Sequence, residues 1–234
     1  MRSDNPVDFD PLDPPGPYTA RRIQESVRRC CKIGRTVDTS AIRLIAGADA
    51  AYSNDMTYAA AVVMKFPEAE FVEVARSVRP TKFPYIPGLL SFREGPAIIE
   101  SVRTLSVIPD VLMVNGHGYA HPRRAGLACH VGVVLDIPTV GIARNLLTGT
   151  AVSPGPRKGD RAPIMDADEV VGMAVRTKER AKQVYVSAGH KVDLGQAVEI
   201  VMETVTTSLF PEPLHIADRI SRASRKSGNA GTFQ

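Results

Sequence analysis

The amino-acid sequence predicts an α/β protein with a mixed central sheet flanked by helices. The apolar residues are mainly Val, Ala, Ile and Leu, and Trp is absent from the 234 residues, a composition typical of sheets that helices cover. Residues 44–52, 59–66 and 71–78 are apolar segments joined by short turns, which predicts three antiparallel strands. Strands and helices alternate further along the chain, and this alternation predicts parallel βαβ pairing.

The first predicted element is a basic helix at residues 18–32. Thr19 serves as its N-cap, and Ile23, Val27 and one of the adjacent cysteines are expected to be buried. Its exposed arginines favour a solvated face, with contact to phosphate as the alternative. After the three strands we expect a helix at 91–106, a strand at 111–114, a helix at 125–135, strands at 139–143, 170–175 and 184–187, and a helix at 194–208.

The length of the chain fits one domain with a well-buried core, which we place at residues 18–222. The Pro- and Asp-rich residues 1–17 predict a flexible lead-in. Residues 223–234 are rich in Ser, Arg, Lys, Gly and Asn, and they predict a disordered basic tail.

Charge and cysteine content narrow the class of protein. The net charge of +4 is a mild bias toward anionic partners. Three cysteines without a C-x-x-C pair predict a reducing compartment and no structural zinc. The sequence shows neither a secretory leader nor an apolar run of about 18 residues, so we expect a cytoplasmic, monomeric protein without a membrane partner. The absence of Walker, G-x-S-x-G and G-x-G-x-x-G motifs argues against NTPase, serine-hydrolase and dinucleotide-binding functions.

Two acidic residues lie in unusual surroundings. Asp49 interrupts an apolar strand, where a carboxylate is costly unless it is paired, hydrogen-bonded or bound to a metal; the residues alone leave these alternatives open. Glu94 belongs to the segment Ser91-Phe-Arg-Glu94, an S-x-x-E capping box. The residues alone therefore favour a helix-capping role for Glu94 over a catalytic one.

The segment 111–124 carries the densest group of functional residue types. Its apolar strand stops at Asn115 and is followed by two glycines, His117, His121 and an arginine pair. Ligands meet the carboxyl ends of strands in open α/β sheets, so this loop predicts a binding site. The H-x-x-x-H spacing would suit zinc on a helix, but Gly118 and Pro122 disfavour a helix here.

The loop Pro84-Tyr-Ile-Pro-Gly88 places an aromatic residue between two prolines. Because proline fixes φ, Tyr85 is displayed at low entropic cost. Such an aromatic can stack on a base or wedge between bases. The alternative is that Tyr85 packs on its own domain.

Five segments together resemble the endonuclease V family of repair nucleases, which act on deaminated adenine (inosine). They are FPYIPGLLSFREGP, VNGHGYAHPRRAGLACHVGVVLDIPTVGIARNLL, APIMDADEV, VSAGHKVDL and PEPLHIAD, and the likeness runs from about Ala46 to Asp218. The resemblance implies a ribonuclease H-like fold and a single catalytic domain. It also implies hydrolysis of the second phosphodiester bond 3′ to the lesion with Mg²⁺, for which Mn²⁺ can substitute. The implied partner is DNA containing deaminated adenine, with RNA as an alternative.

The resemblance also assigns roles to individual positions. The metal carboxylates fall on Asp49 and Glu94, which reverses the capping interpretation of Glu94. A histidine near the metal falls on His121. The strand-separating wedge falls on Tyr85, and further nucleic-acid contacts are expected at Pro84, Ile86, Pro87, Arg123 and Arg124. The pocket for the flipped base falls on Gly88, Leu90 and Gly116, and the secondary candidates for the site are His117, His190 and Asp218.

Two positions depart from the family's pattern. Asn115 replaces the usual Asp metal ligand before Gly-His-Gly, and Arg144 stands in the segment where Lys is usual. The lost charge is worth roughly 4 kcal/mol gross at about 4 Å and an effective dielectric constant of about 20, so weaker metal binding is expected. Arg144 can still bind a phosphate through its guanidinium, but unlike a buried Lys it cannot give up a proton.

These departures leave two hypotheses. In the first, which we adopt, the chain is a nuclease in which Asp49, Glu94 and Asn115 hold the metal. Arg144 or His121 then stabilises the reacting phosphate. In the second, the chain binds deaminated nucleic acid without efficient cleavage.

Overall fold

The computed structural model describes residues 12–35, 37–53 and 55–227. Most of the predicted lead-in and residues 228–234 of the predicted tail lie outside this range. Within it, the strands are β1 Leu44–Ser53, β2 Met56–Lys65, β3 Phe71–Pro80, β4 Val111–Asn115, β5 Thr139–Ala143, β6 Arg161–Asp166, β7 Glu169–Val175 and β8 Val184–Ala188. The α-helices are α1 Pro17–Cys30, α2 Leu90–Arg103, α3 Leu127–Leu135, α4 Leu194–Thr204 and α5 Glu212–Ser227.

All of these strands form one sheet, in the order β3-β2-β1-β4-β5-β8-β7-β6. The first three strands are antiparallel, whereas β4 pairs parallel with both β1 and β5. This arrangement confirms the mixed sheet that the sequence predicts and the ribonuclease H-like fold that the resemblance implies. Beyond β5 the sheet continues with three antiparallel strands, β8, β7 and β6.

Helices cover both faces of the sheet. Alternate residues of β1 point to opposite sides, so Ile45 packs with α4 and α5 while Ala46 packs with α2 and α3. The β4 strand, buried on both faces, is apolar throughout until its last residue. Helix α1 lies outside this frame and packs through Ile23 and Val27 in a cluster with Leu89 and Ala125. It thus supports the loops that precede α2 and α3.

Several predicted boundaries are corrected by the structure. Strand β6 was not predicted, because Pro and Asp residues break its apolar pattern. Helix α5 continues to Ser227, so the disorder predicted from residue 223 is wrong for 223–227. Helix α4 ends at Thr204 rather than at 208, and α1 begins with Gly16 as N-cap and Pro17 in its first turn, rather than at Thr19.

Cys30, Cys31 and Cys129 are free thiols, of which Cys129 is buried and Cys30 is exposed. Among the helices in the described part of the chain, none combines the length and apolar character that a bilayer crossing requires.

Candidate active site

Four side chains predicted from separate segments meet in one cavity of about 360 Å³ at the carboxyl ends of β1 and β4. The four residues are Asp49, Glu94, Asn115 and Asp218, and we call this space the acidic cavity. Asp49 and Glu94 are 4% and 5% exposed. Their burial makes this an electrostatically unusual place, since carboxylates are seldom so enclosed unless they are paired.

Strand register brings Asp49 and Asn115 side by side. Ala48 pairs with Val114 in the parallel β1–β4 ladder, and Asp49 and Asn115 are the next residue of each strand. The Asn115 amide donates a hydrogen bond to the Asp49 carboxylate, which lowers the pKa of Asp49. This bond occupies the amide nitrogen of Asn115, so its carbonyl oxygen is the atom suited to bind a ligand.

Glu94 reaches the cavity from the first half of α2. The helix begins at Leu90 with Leu89 as N-cap and no side-chain cap hydrogen bond, so the capping box predicted for Ser91 and Glu94 is wrong. The hydroxyl of Tyr52, at the end of β1, instead hydrogen-bonds the Glu94 carboxylate. The Tyr52 ring is covered by the Arg93 guanidinium at 4.6 Å.

Asp218 comes from α5, which crosses β1 unusually closely. A Cβ on Gly47 would overlap backbone atoms of Leu214 and Pro213 at the start of this helix. Two residues along a strand and four residues along a helix both advance about 6–7 Å. The contact at Gly47 therefore places Asp218 beside Asp49, and the two carboxyl groups interact directly. Asp218, which was only a secondary candidate in the sequence analysis, thus joins the centre of the site.

The pKa values of both buried acids are raised. Burial, followed by the hydrogen bond to Asp218 and the repulsion from it, raises the pKa of Asp49 to about 7. Burial and the nearby charge of Asp49 raise the pKa of Glu94 to about 8, although Tyr52 and Arg93 oppose the shift. Strongly perturbed acids in a cavity are a mark of functional sites.

The donor atoms fit a hard divalent cation. The acidic and amide side chains offer oxygen ligands, and Mg²⁺ typically takes one or two carboxylates together with waters and substrate phosphates. Within the described residues no three His, Cys, Asp or Glu side chains form a group that could hold a metal ion. The amide of Asn115 would then complete the oxygen set, and a bound cation would offset the repulsion that raises both pKa values.

The raised pKa values predict that the metal-free protein loses stability as the solution becomes alkaline. The folded-state pKa values of about 7 and 8 exceed the ordinary values of 3.8 and 4.5. The stabilising contribution is therefore complete below about pH 4, is lost progressively as the pH rises, and is gone once the pH has passed through the folded-state values. The buried histidines have lowered pKa values, and their opposite effect is confined below pH 6.5. The thermal midpoint in EDTA should therefore fall between pH 6.5 and about 8.5. Glu94→Gln should flatten this fall, and an unchanged slope in that variant would contradict the assignment.

A second cavity, of about 430 Å³, adjoins the first and is lined by the predicted base-pocket residues Gly88, Leu90 and Gly116. We call it the base cavity. It shares Leu90, Asn115 and Arg222 with the acidic cavity. The volume lies in the range of pockets that enclose small ligands.

The Gly88 carbonyl oxygen organises the base cavity. It accepts hydrogen bonds from Arg123 Nη2 at 2.8 Å, from His121 Nε2 at 2.9 Å and from Gln24 Nε2 at 2.9 Å. The positive φ of +78° at Gly88 turns this carbonyl inward, and a Cβ there would lie 3.0 Å from the Arg123 guanidinium. Glycine at this position therefore serves both the turn and the close packing of Arg123.

His121 is a neutral positioning residue in this structure. Its Nδ1 accepts the Arg123 backbone N–H at 3.1 Å, so Nε2 carries the proton that is donated to Gly88. Burial lowers the pKa of His121 to about 4. Both ring nitrogens are thus engaged by the loop backbone, and the position near the metal that the resemblance implies for His121 stays a prediction.

The arginine pair faces the protein rather than solvent. Arg123 Nε donates to Gln24 Oε1 at 2.6 Å, while Arg124 forms ion pairs with Asp166 at 2.7 Å and Glu169 at 2.9 Å. These bonds show that both side chains hold the loop, and their contacts with phosphate stay a prediction. The sequence could not reveal these partners because they lie on α1 and on the β6–β7 hairpin.

Tyr85 is 65% exposed, so the alternative in which it packs on its own domain is wrong. It lines the base cavity together with Ile86 and Pro87. The preceding residue, Pro84, is also exposed. A displayed aromatic ring beside a base-sized cavity is in the place that a wedge requires, and that role stays a prediction.

The remaining candidates occupy different places. The Arg144 guanidinium lies 4.4 Å from the centre of the Phe210 ring and borders the base cavity. His117 also lines that cavity, and its Nε2 lies 2.9 Å from the Asn145 carbonyl oxygen. His190 borders neither cavity, and it contacts Asp136 and Lys32 on another part of the surface.

Sequence reasoning missed three residues of the site: Tyr52, Gln24 and Arg222. Tyr52 follows Asp49 at the strand end, and Gln24 is a buried amide on the otherwise apolar side of α1. Each of these two residues is a polar group in an otherwise apolar part of its element, which is a signal that the sequence contains. Arg222 had no such signal, because it stands in a basic, polar stretch at the predicted end of the domain.

Comparisons with known proteins point to one family. The family model for endonuclease V matches residues 25–219. The chain is 42% identical over 220 residues to an endonuclease V of Roseiflexus sp. (strain RS-1), covering 93% of this chain and 97% of that protein. It is similar to the structure of endonuclease V from Streptomyces avermitilis, with a TM-score of 0.87, 35% identity and coverage of 92% and 95%. It is also similar, at a TM-score of 0.78, 25% identity and coverage of 91% and 98%, to Ciona intestinalis endonuclease V in complex with a 24mer DNA containing an inosine followed by a ribo-adenosine.

Proposed function

The chain belongs to the endonuclease V family and is a metal-dependent endonuclease that recognises deaminated bases, and we propose that it hydrolyses the second phosphodiester bond 3′ to inosine in DNA. The observation that carries the proposal is the junction of two cavities. One is base-sized and bordered by an exposed tyrosine, the other is acidic, and they share Leu90, Asn115 and Arg222. Enzymes that recognise a single altered base commonly extrude it into such a pocket.

We assign the metal to the acidic cavity, with Asp49, Glu94 and Asn115 as the residues that would hold it and Asp218 beside Asp49. Mg²⁺ is the proposed ion because the donors are oxygen atoms. When bound, such an ion polarises the phosphate and lowers the pKa of a bound water. Two carboxylates and one amide supply less negative charge than three carboxylates would, so a raised metal requirement is expected.

The protein's own groups set the geometry around that ion. The Asn115 amide orients Asp49, and the Tyr52 hydroxyl orients Glu94. The Gly88 carbonyl, held by three donors, fixes the wall of the base cavity. Tyr85 would occupy the gap left by the extruded base, with Pro84, Ile86 and Pro87 restricting its loop. Arg144 is suited to contact a phosphate at the rim of the base cavity.

The substitution Asn115→Asp tests the metal assignment. Restoring a full charge beside Asp49 should lower the Mg²⁺ concentration that gives half-maximal cleavage, by about tenfold on the scale of single changes around metal ligands. The measurement is the rate of nicking across a magnesium titration. An unchanged metal requirement would mean that Asn115 is not a ligand.

The activity is tested directly with a duplex oligonucleotide that contains one deoxyinosine. With Mg²⁺ or Mn²⁺ we expect a single nick one nucleotide beyond the lesion, and no nick in the matched adenine duplex. An RNA duplex with inosine at the same position measures the preference between DNA and RNA. Tight binding to the inosine duplex without cleavage at any metal concentration would instead establish a binding protein.

A further inference from the structure

Arg222 occupies the boundary between the two cavities. It lies on α5, one helical turn after Asp218, and lines both the base cavity and the acidic cavity. Its Nε is 2.7 Å from Asp218 Oδ1, and its side chain remains 56% exposed. The Asp218 side chain is 15% exposed, but an ion pair at i,i+4 spacing whose guanidinium is open to solvent contributes little to stability. The guanidinium can therefore exchange this partner for another anion.

The passage of a nucleic-acid strand between the cavities requires a cation at this boundary. A strand whose inosine enters the base cavity must run across the shared wall to bring the next-but-one phosphate to the acids. Repulsion between phosphates and the clustered carboxylates opposes this path. Of the three residues that form the shared wall, Leu90 is apolar, Asn115 is neutral, and Arg222 is the cation.

We propose that Arg222 binds the first phosphodiester 3′ to the inosine, which is the phosphate adjacent to the one that is cut. This inference rests on the proposed function. The planar guanidinium pairs with two phosphate oxygens at once, a geometry that lysine cannot reproduce. Binding of the phosphate draws Arg222 away from Asp218, and that carboxylate becomes free for the acidic cavity. Arg222 thus sets the distance between the recognised base and the cut.

The first experiment measures binding of the full-length protein to an inosine oligonucleotide in EDTA by fluorescence anisotropy. Arg222→Gln should weaken binding about tenfold, the usual scale for a charge-assisted hydrogen bond, and should reduce the slope of log K against log salt by about one. Arg222→Lys should recover only part of the loss. Arg219→Gln is the control, because it removes the same charge from an exposed position on α5 that lines neither cavity. It should bind as the unmodified protein does.

The second experiment identifies the phosphate. A neutral methylphosphonate at the first 3′ linkage should weaken binding by the unmodified protein and by Arg219→Gln, but should cause no further loss in Arg222→Gln. The same neutral linkage at the second 3′ position, which faces the acids, should change binding by the same factor in all three proteins. A full methylphosphonate effect at the first position in Arg222→Gln would overturn the inference. The inference would also be overturned if the neutral linkage at the second position affected Arg222→Gln differently from the unmodified protein.

Two controls separate failure of this inference from other failures. Equal affinity of the unmodified protein for inosine and adenine oligonucleotides would overturn the proposed function, and the assignment of Arg222 with it. A normal preference for inosine in Arg222→Gln, with unchanged affinity and salt dependence, would overturn the role of Arg222 alone. Thermal midpoints of the variants establish that each is folded at the temperature of the binding measurement.

Discussion

Asp49→Asn is expected to reduce the rate of nicking by about a thousandfold, the scale seen when one group that stabilises the reacting centre is removed. Asp49 is 4% exposed and contacts both Asn115 and Asp218, so its loss removes the residue through which the other ligands are connected. Asn keeps the shape of the side chain but loses the charge. The measurement is single-turnover cleavage of the deoxyinosine duplex at saturating Mg²⁺.

Stability provides the internal check on this result. The raised pKa of Asp49 shows that its ionised form is disfavoured in the folded protein, so Asp49→Asn in EDTA at pH 8 should melt no lower than the unmodified protein. The control is Asp136→Asn, the same chemical change at a side chain that is 71% exposed and paired with Lys191. It should cleave at the normal rate. Normal cleavage by Asp49→Asn would contradict the assignment of catalysis to the acidic cavity.

Gly47→Ala is expected to destabilise the fold by about 3 kcal/mol, at the upper end of the usual cost of overpacking. The added Cβ would overlap backbone atoms of Pro213 and Leu214, and backbone cannot rotate away as a side chain can. The start of α5 must therefore move off β1. For a domain of this size the thermal midpoint should fall by roughly 6–12 °C.

The same change also tests how the site is assembled. Asp218 reaches Asp49 because α5 lies close to β1, so cleavage by Gly47→Ala should fall at temperatures where the variant is still folded. Gly16→Ala is the matched control, since a Cβ there meets no atom within 4 Å and its extended backbone suits any residue. A midpoint for Gly47→Ala equal to that of the control would contradict the close approach of α5.

The order of the first strands was readable from the sequence because it depends on local pattern. Strands β1, β2 and β3 are joined by short connections, which restrict them to antiparallel pairing. Strand β4 is an uninterrupted apolar run, as expected for a strand covered on both faces. Strand β6 was missed because Pro163 and Asp166 break its apolar pattern, and its pairing with β7 is a contact that the local sequence does not encode.

The charged residues show the limit of reasoning from single segments. The S-x-x-E pattern at Ser91 predicted a cap, yet Glu94 bonds Tyr52 on another element. The Arg123–Arg124 pair is predicted to contact phosphate, and the partners that both side chains bond within the protein are not visible in the local sequence. A long charged side chain can reach several possible partners. Which of them it bonds depends on the elements that pack nearby.

The sequence by itself determined the class of fold and the place of the loop that follows β4, because both follow from the periodicity and the glycine and proline content of short segments. The sequence left two alternatives for Tyr85, and the structure shows it 65% exposed. Tertiary structure decided which acids meet. Asp49 joins Asn115 through the register of parallel strands, and Asp218 joins them through the packing of α5 against Gly47. Both are contacts between segments far apart in the chain, whose distance is fixed only when the sheet and its covering helices pack together.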